Sequence, residues 1–189
     1  MRAAIAGQYG RMDGPRHPLE LYETPARAVD MLVKHVPLDG PILEPSAGLG
    51  AIVRALRSRG FKVRASDVHD HQPDPELEIL TGVDFLSTKT MSGCRSIVMN
   101  PPFKNSVAHV RHALQLLPRD GTLAVLLRSS WINAKGRADL LAHNHQEIIA
   151  GRLKMLPYGA ADRGHGGTTD FSWFIFRRPT VSAVRRIRA

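Results

Sequence analysis

Met99-Asn100-Pro101-Pro102-Phe103 is the stretch of this chain with the most chemical content. A carboxamide, two prolines and an aromatic ring follow a short apolar run, Ser96-Ile97-Val98-Met99. Consecutive prolines neither continue a strand ladder nor enter a helix freely, so they fix an extended turn. The Asn100 side-chain oxygen and the Pro101 carbonyl can both accept hydrogen bonds from one NH2 group. An exocyclic or amide nitrogen is a poor nucleophile because its lone pair is delocalised. Two acceptors on its hydrogens favour a tetrahedral geometry and free that pair for attack. Phe103 offers a flat face for a planar substrate. A tight turn followed by an ordinary core phenylalanine is the other reading of the same residues.

Such a turn needs a rigid support. Ser96 to Met99 reads as a buried parallel strand, and ligands bind at the carboxyl ends of such strands. A second signal is Glu44-Pro45-Ser46-Ala47-Gly48-Leu49-Gly50, which follows a short apolar run and precedes a helix from about Ala51 to Arg59. This is the first strand-to-helix turn of a doubly wound sheet, in which Gly48 and Gly50 let backbone approach a ligand. A dinucleotide fingerprint needs a third small residue where this chain has Val53, and Glu44 suits an ammonium group better than a pyrophosphate. The strand Phe61 to Val68 ends in Asp67, which serves either a ribose or a loop cap. Leu77 to Leu80 is expected as a third strand. Asp84-Phe85 is either a helix cap beside a core ring or a pair that binds an adenine amino group and covers its ring. Thr24-Pro25 opens a helix over Ala26 to Val36, with Thr24 as cap and Pro25 at the first helical position. Its N-terminus can also receive a carboxylate.

Beyond Phe103 the pattern predicts a helix from about Val107 to Leu117 and a strand from Thr122 to Leu127. Arg128 and Trp131 then reach the same sheet edge as Asn100. Trp131 either stacks on a base or packs under its loop. A weak helix is expected over Gly136 to His145, a basic strand over Gly151 to Pro157, and a final strand over Phe171 to Phe176. The glycine-rich connection between the last two carries Arg163. His69-Asp70-His71 lacks a fourth partner, and His109 and His112 read as solvated, so no metal site is expected.

The chain has 189 residues, 43% of them hydrophobic, which suits one well-cored domain. A formal charge of +9 points to a polyanionic partner, nucleic acid first. The single cysteine, Cys94, excludes an internal disulfide and a thiolate-rich zinc site. The absence of a long apolar run predicts no membrane span and no secretory signal, so a cytoplasmic setting is expected.

Taken together, these motifs resemble the S-adenosylmethionine-dependent amino-methyltransferases, most of all the small phage-type DNA adenine-N6 enzymes. The resemblance covers about Tyr22 to Phe176. It implies a Rossmann-like seven-stranded mixed sheet, α/β in class, whose one antiparallel strand is Phe171 to Phe176. Asn100-Pro101-Pro102-Phe103 matches the catalytic tetrapeptide. The implied S-adenosylmethionine contacts come from Tyr22, Thr24 and Pro25, with Thr24 at the methionine carboxylate. They continue through Glu44, Ser46, Ala47, Gly48 and Gly50, then Asp67 and Val68, Asp84 and Phe85, and Asn100. Phe103, Lys104, Arg128, Trp131 and Arg163 are the expected substrate residues. The expected organisation is an irregular arm over 1–21, a methyltransferase domain over 22–178 and a basic tail over 179–189. Family members with this motif order usually carry a target-recognition region late in the chain, and here, as a departure from that pattern, no separate one is expected. DNA is the first expected substrate. RNA bases and a protein glutamine amide use similar acceptors, and a silent nucleic-acid-binding module would keep the charge without binding cofactor. Cytosine-C5 chemistry is excluded, because Cys94 lies at the wrong end of the strand to attack.

Overall fold

A computed structural model describes residues 20–91, 93–155 and 169–178. Arg163 with its glycine-rich stretch, nearly all of the N-terminal arm and the basic tail from residue 179 lie outside the described residues.

Strand β1 (Ile42–Glu44) is followed by α2 (Ala51–Arg57) and β2 (Val63–Ala65). Helix α1 (Ala26–His35) precedes them. Then come β3 (Ser96–Met99), α3 (Ser106–Leu116), β4 (Thr122–Arg128), α4 (Ala138–Leu141), β5 (Asn144–Arg152) and β6 (Asp170–Phe176). The strands form one six-stranded sheet in the order β2-β1-β3-β4-β6-β5. β2, β1, β3 and β4 are parallel, and β6 runs antiparallel to both β4 and β5, as expected for the last strand. Every residue of β3 and the first six of β4 are buried. Apolar residues on both faces suit central strands covered by helices on each side. Along β4, Ala124 and Leu126 join the core under α1 and α2, while Leu123, Val125 and Leu127 join the core under α3. This alternation is the two-residue period of a strand. The strand order reverses between β1 and β3, so the sheet has its topological switch point there.

Four expectations are corrected. The described residues hold six strands rather than seven, because Leu77 to Leu80 does not form one. Asp74 accepts the Glu76 amide at 3.0 Å and Pro75 occupies a first helical position, so Pro75–Leu77 winds into a 3-10 turn. Glu78 then takes a φ of 48°, and only Leu80 reaches the sheet, as a single bridge to Ser66. Near the C-terminus, the expected helix shrinks to a 3-10 turn at Lys135–Arg137 and the one-turn α4. The expected basic strand starts earlier, as β5, because pairing with β6 outweighs the polar composition of Asn144–Arg152. Gly151, at φ 70°, sits in a register shift of that pairing. Thr24 does not cap α1; Pro25 is its N-cap, with no side-chain cap bond.

The wholly buried Trp173 on β6 ties the sheet to α1, its Nε1 donating to the Ala28 carbonyl at 2.7 Å. Trp173→Phe keeps most of the apolar bulk and removes that bond. Its urea midpoint should fall by the equivalent of about 1–3 kcal/mol; an unchanged midpoint would mean that this contact contributes nothing to docking α1.

Candidate active site

A cavity of about 450 Å³ opens at the carboxyl edge of the parallel strands. Its walls come from the turns after β1, β2 and β3, the Val83 to Leu86 segment, and Glu20 to Thr24, which lies across it. The volume falls within the range of small-molecule sites.

The turn after β1 is shaped by two left-handed glycines, Gly48 at φ 54° and Gly50 at φ 85°. The Gly48 amide donates to Asp67 Oδ2 at 2.8 Å, which ties this turn to the end of β2. Ser46, Ala47 and Gly48 line the cavity. Gly50, expected among the cofactor residues, is not among the lining residues; it caps α2, and a Cβ there would overlap the Leu77 side chain. Glu44 is wholly buried behind the wall, not among its lining residues, with Oε1 accepting the Ser46 amide at 3.1 Å. Its Oε2 has no hydrogen-bond partner. Burial, opposed by the Ser46 bond, pushes the carboxyl well above its usual range, with the Asp67 charge adding in the same direction.

Asp67 is nearly buried and lines the cavity. Its Oδ1 accepts the His69 amide at 2.9 Å and lies 3.6 Å from His71 Nε2. A carboxylate offers about four lone-pair sites, so acceptor capacity remains for ligand hydroxyls. Val68 lines the same wall. Asp84 caps a 3-10 turn and also lines the cavity. Bonds from the Ser87 hydroxyl at 2.7 Å and the Leu86 amide at 3.0 Å hold its carboxyl below the usual value. Phe85 is buried, with His112 edge-on at 4.9 Å and His109 tilted at 5.7 Å.

Asn100 emerges from β3 into the cavity, and its Nδ2 donates to the Thr24 hydroxyl at 3.2 Å. With the donor end held there, Oδ1 is the acceptor left for a ligand. Pro102 lines the cavity, whereas Pro101 and Pro25 are buried outside its lining. Tyr22 lies 6.1 Å from the Phe103 ring, and Phe171 lies 6.2 Å from it on another side.

Phe103 faces a second cleft, lined also by Lys104, Arg128, Ser130, Trp131 and Arg137. Lys104 lines both clefts. Four of the five expected substrate residues thus meet, and Arg163 lies outside the described residues. Trp131, read as either a stacking surface or packing under its loop, lines this cleft with little of its ring exposed. It is buried, donates from Nε1 to Ser106 Oγ at 2.9 Å, and packs 6.0 Å from Phe174.

Sequence reasoning missed Glu20, Leu21, His71, His109 and Arg137. His109, expected to be solvated, is buried against the cavity, and burial lowers its pKa against the opposing pull of the Asn105 carbonyl. Among the described residues, no cluster of three His, Cys, Asp or Glu is arranged to hold a metal ion. No helix among them is long and apolar enough to cross a membrane.

No family model matches the chain, and no curated protein matches it in sequence. Solved structures are similar to it in fold. One is a dimethyladenosine transferase from Plasmodium falciparum, with a TM-score of 0.57 at 11% identity over 83% of this chain and 62% of that one. Another is the 1,6-didemethyltoxoflavin-N1-methyltransferase of Burkholderia thailandensis, solved with S-adenosylhomocysteine, with a TM-score of 0.57 at 12% identity over 82% of this chain and 77% of that one. The N-methyltransferase NodS of Bradyrhizobium japonicum gives 0.54 at 15% identity over 82% of this chain and 93% of that one. The fold is that of the class I methyltransferases. At such identities the likeness is one of fold, and the chemistry rests on the residues described above.

The buried Glu44 generates a pH test. Folding raises its pKa, so the native chain holds a proton that the unfolded chain loses near the ordinary value of 4.5. Its contribution to stability therefore falls as pH rises from that value through the native pKa. Glu44→Gln removes the titration. Relative to the unaltered chain, its thermal midpoint should be higher at pH 8 than at pH 5; a difference independent of pH would contradict the assignment.

Proposed function

We propose that this chain is an enzyme that transfers a methyl group from S-adenosylmethionine to an amino nitrogen, adenine N6 in DNA being the first candidate. The observation that carries the reading is Asn100, which lines the cavity at the end of β3 with its Nδ2 held by the Thr24 hydroxyl. The cavity residues fit the cofactor. Glu20, Asp67 and Asp84 supply carboxylates for a cationic ligand and for ribose hydroxyls, Glu23 being paired with Arg54, and Glu20 Oε1 is buried without a partner. Leu21, Ile52, Val68 and Phe85 supply apolar walls for a purine ring.

The cofactor brings a methyl group on a sulfonium, whose departure as a neutral thioether needs no general acid. Asn100 Oδ1 and the Pro101 carbonyl accept the two amino hydrogens and direct the nitrogen lone pair toward that methyl. With the methyl supplied by the bound sulfonium, which would leave as a neutral thioether keeping the C–S electron pair, the substrate nitrogen would release its surplus proton to water. A base in a duplex must leave the stack to reach a strand-end pocket, so single-stranded or flipped adenine is the expected form. Basic residues around Phe103 and the +9 balance favour nucleic acid over a protein glutamine.

Tritiated-methyl transfer to separate DNA, RNA and protein pools, followed by nucleoside analysis, tests the substrate. Label in DNA as N6-methyladenine is expected; label in RNA or protein alone would redirect the assignment, and label in none would remove it. In the same assay Asn100→Ala should lower turnover about a hundredfold, the scale of a lost transition-state hydrogen bond, with S-adenosylhomocysteine affinity within a few-fold. Wild-type turnover in that variant would refute the mechanism. Asp67→Ala should instead weaken S-adenosylhomocysteine by about 2–3 kcal/mol, read by calorimetry; unchanged affinity would take Asp67 out of the cofactor site.

A further inference from the structure

The second cleft, about 280 Å³ in volume, contains three cationic side chains and no carboxylate among its lining residues. Elsewhere, Arg54, Arg59, Arg95, Arg111 and Arg152 each pair with a carboxylate. Among the described residues, Arg128 and Arg137 have no such partner. Both are held on aromatic rings instead. The Arg137 guanidinium lies 4.4 Å from the Trp131 ring centre and donates to the Trp131 carbonyl. The Arg128 guanidinium lies 5.5 Å from the Phe103 ring centre, and its Nε is buried without a hydrogen-bond partner.

Both side chains are half-buried, and leaving the Arg128 Nε buried without an acceptor is unfavourable, a cost that an anion with several oxygens relieves. The planar fork of arginine matches phosphate oxygens, and aromatic stacking orients it beforehand. Lys104 adds a third charge from the residue next to Phe103, at the boundary with the acidic cavity. Glu20 approaches Lys104 there, accepting its backbone amide at 3.2 Å. The Phe103 face is meanwhile covered by Arg128, so a planar ring reaches it only when Arg128 moves aside.

We propose that this cleft is a phosphate subsite, in which Arg128, Arg137 and Lys104 hold the phosphodiester adjoining the target base. Arg128 leaves the Phe103 ring for the phosphate and so opens the stacking face to that base. The proposal deepens the nucleic-acid reading above and rests on it. It makes a phosphate-linked nucleotide the substrate unit, in preference to a free nucleoside or an amide side chain.

The test uses a single-stranded DNA pentamer with one adenine among thymines, and fluorescence anisotropy at low salt. In a second pentamer the two linkages flanking the adenine are uncharged methylphosphonates. In a third, the neutral linkages are the two outermost ones. The wild-type chain should bind the second about tenfold more weakly than the natural pentamer, the scale of one lost charge-assisted contact, and the third within about twofold. Arg137→Gln should abolish the preference for charged flanking linkages. Equal wild-type affinity for the second and third pentamers, undiminished preference in Arg137→Gln, or no binding of any pentamer would overturn the proposal. The positional comparison needs only the wild-type chain, so it stands even if the variant fails to fold. Methyl transfer is scored separately. Transfer to the natural and flank-neutral pentamers without binding preference keeps the methyltransferase reading and discards the subsite. Preference without transfer to any pentamer keeps the phosphate contact and discards the methyltransferase reading.

Discussion

Parallel strands buried on both faces end together at one edge, and at that edge the ladder stops providing hydrogen-bond partners. In this chain each of the four parallel strands delivers a polar side chain there: Glu44, Asp67, Asn100 and Arg128. The first three are tied down within the protein, Glu44 to the Ser46 amide, Asp67 to the amides of Gly48 and His69, and Asn100 to Thr24. These bonds join the turn after β1 to the end of β2, and the end of β3 to the segment leading into α1. The cavity wall therefore takes its shape from the sheet rather than from the loops alone. Arg128 differs, resting on a ring with no counter-charge among the described residues.

The charge is divided across Asn100 and Phe103. The cavity side carries Glu20, Glu23, Asp67 and Asp84, and the cleft side carries Arg128 and Arg137, with Lys104 on the boundary. On the proposed reading, a cationic methyl donor would be drawn to one side of this strand end and a polyanionic acceptor to the other. Such a division favours encounter in the correct orientation, because each ligand is repelled from the other's place.

Much of this was legible in the chain because its signals are local. The glycine turn, Asp67 beyond it, and Asn-Pro-Pro-Phe after a buried run each occupy a few consecutive residues, and the structure brings them to one edge. What escaped depends on distant partners. Arg137 lies over Trp131, and His109 under Phe85 reads as an ordinary helical histidine until α3 docks. Gly50 looks like a ligand glycine, but its neighbour is Leu77, whose position follows from the turn at Pro75. The same turn removed the expected third strand, since Asp74-Pro75 is a stronger local instruction than four residues of mixed polarity. Strand β5 was obscured because pairing with β6, rather than its own composition, specifies it.

The central claim is that the cavity and Asn100 form one reaction centre. A crystal structure of the chain with S-adenosylhomocysteine tests it most directly. The ribose hydroxyls are expected on Asp67, the purine beside Asp84 and Phe85, and the sulfur turned toward Asn100. Density for the ligand outside this cavity, or a sulfur facing away from Asn100, would contradict it.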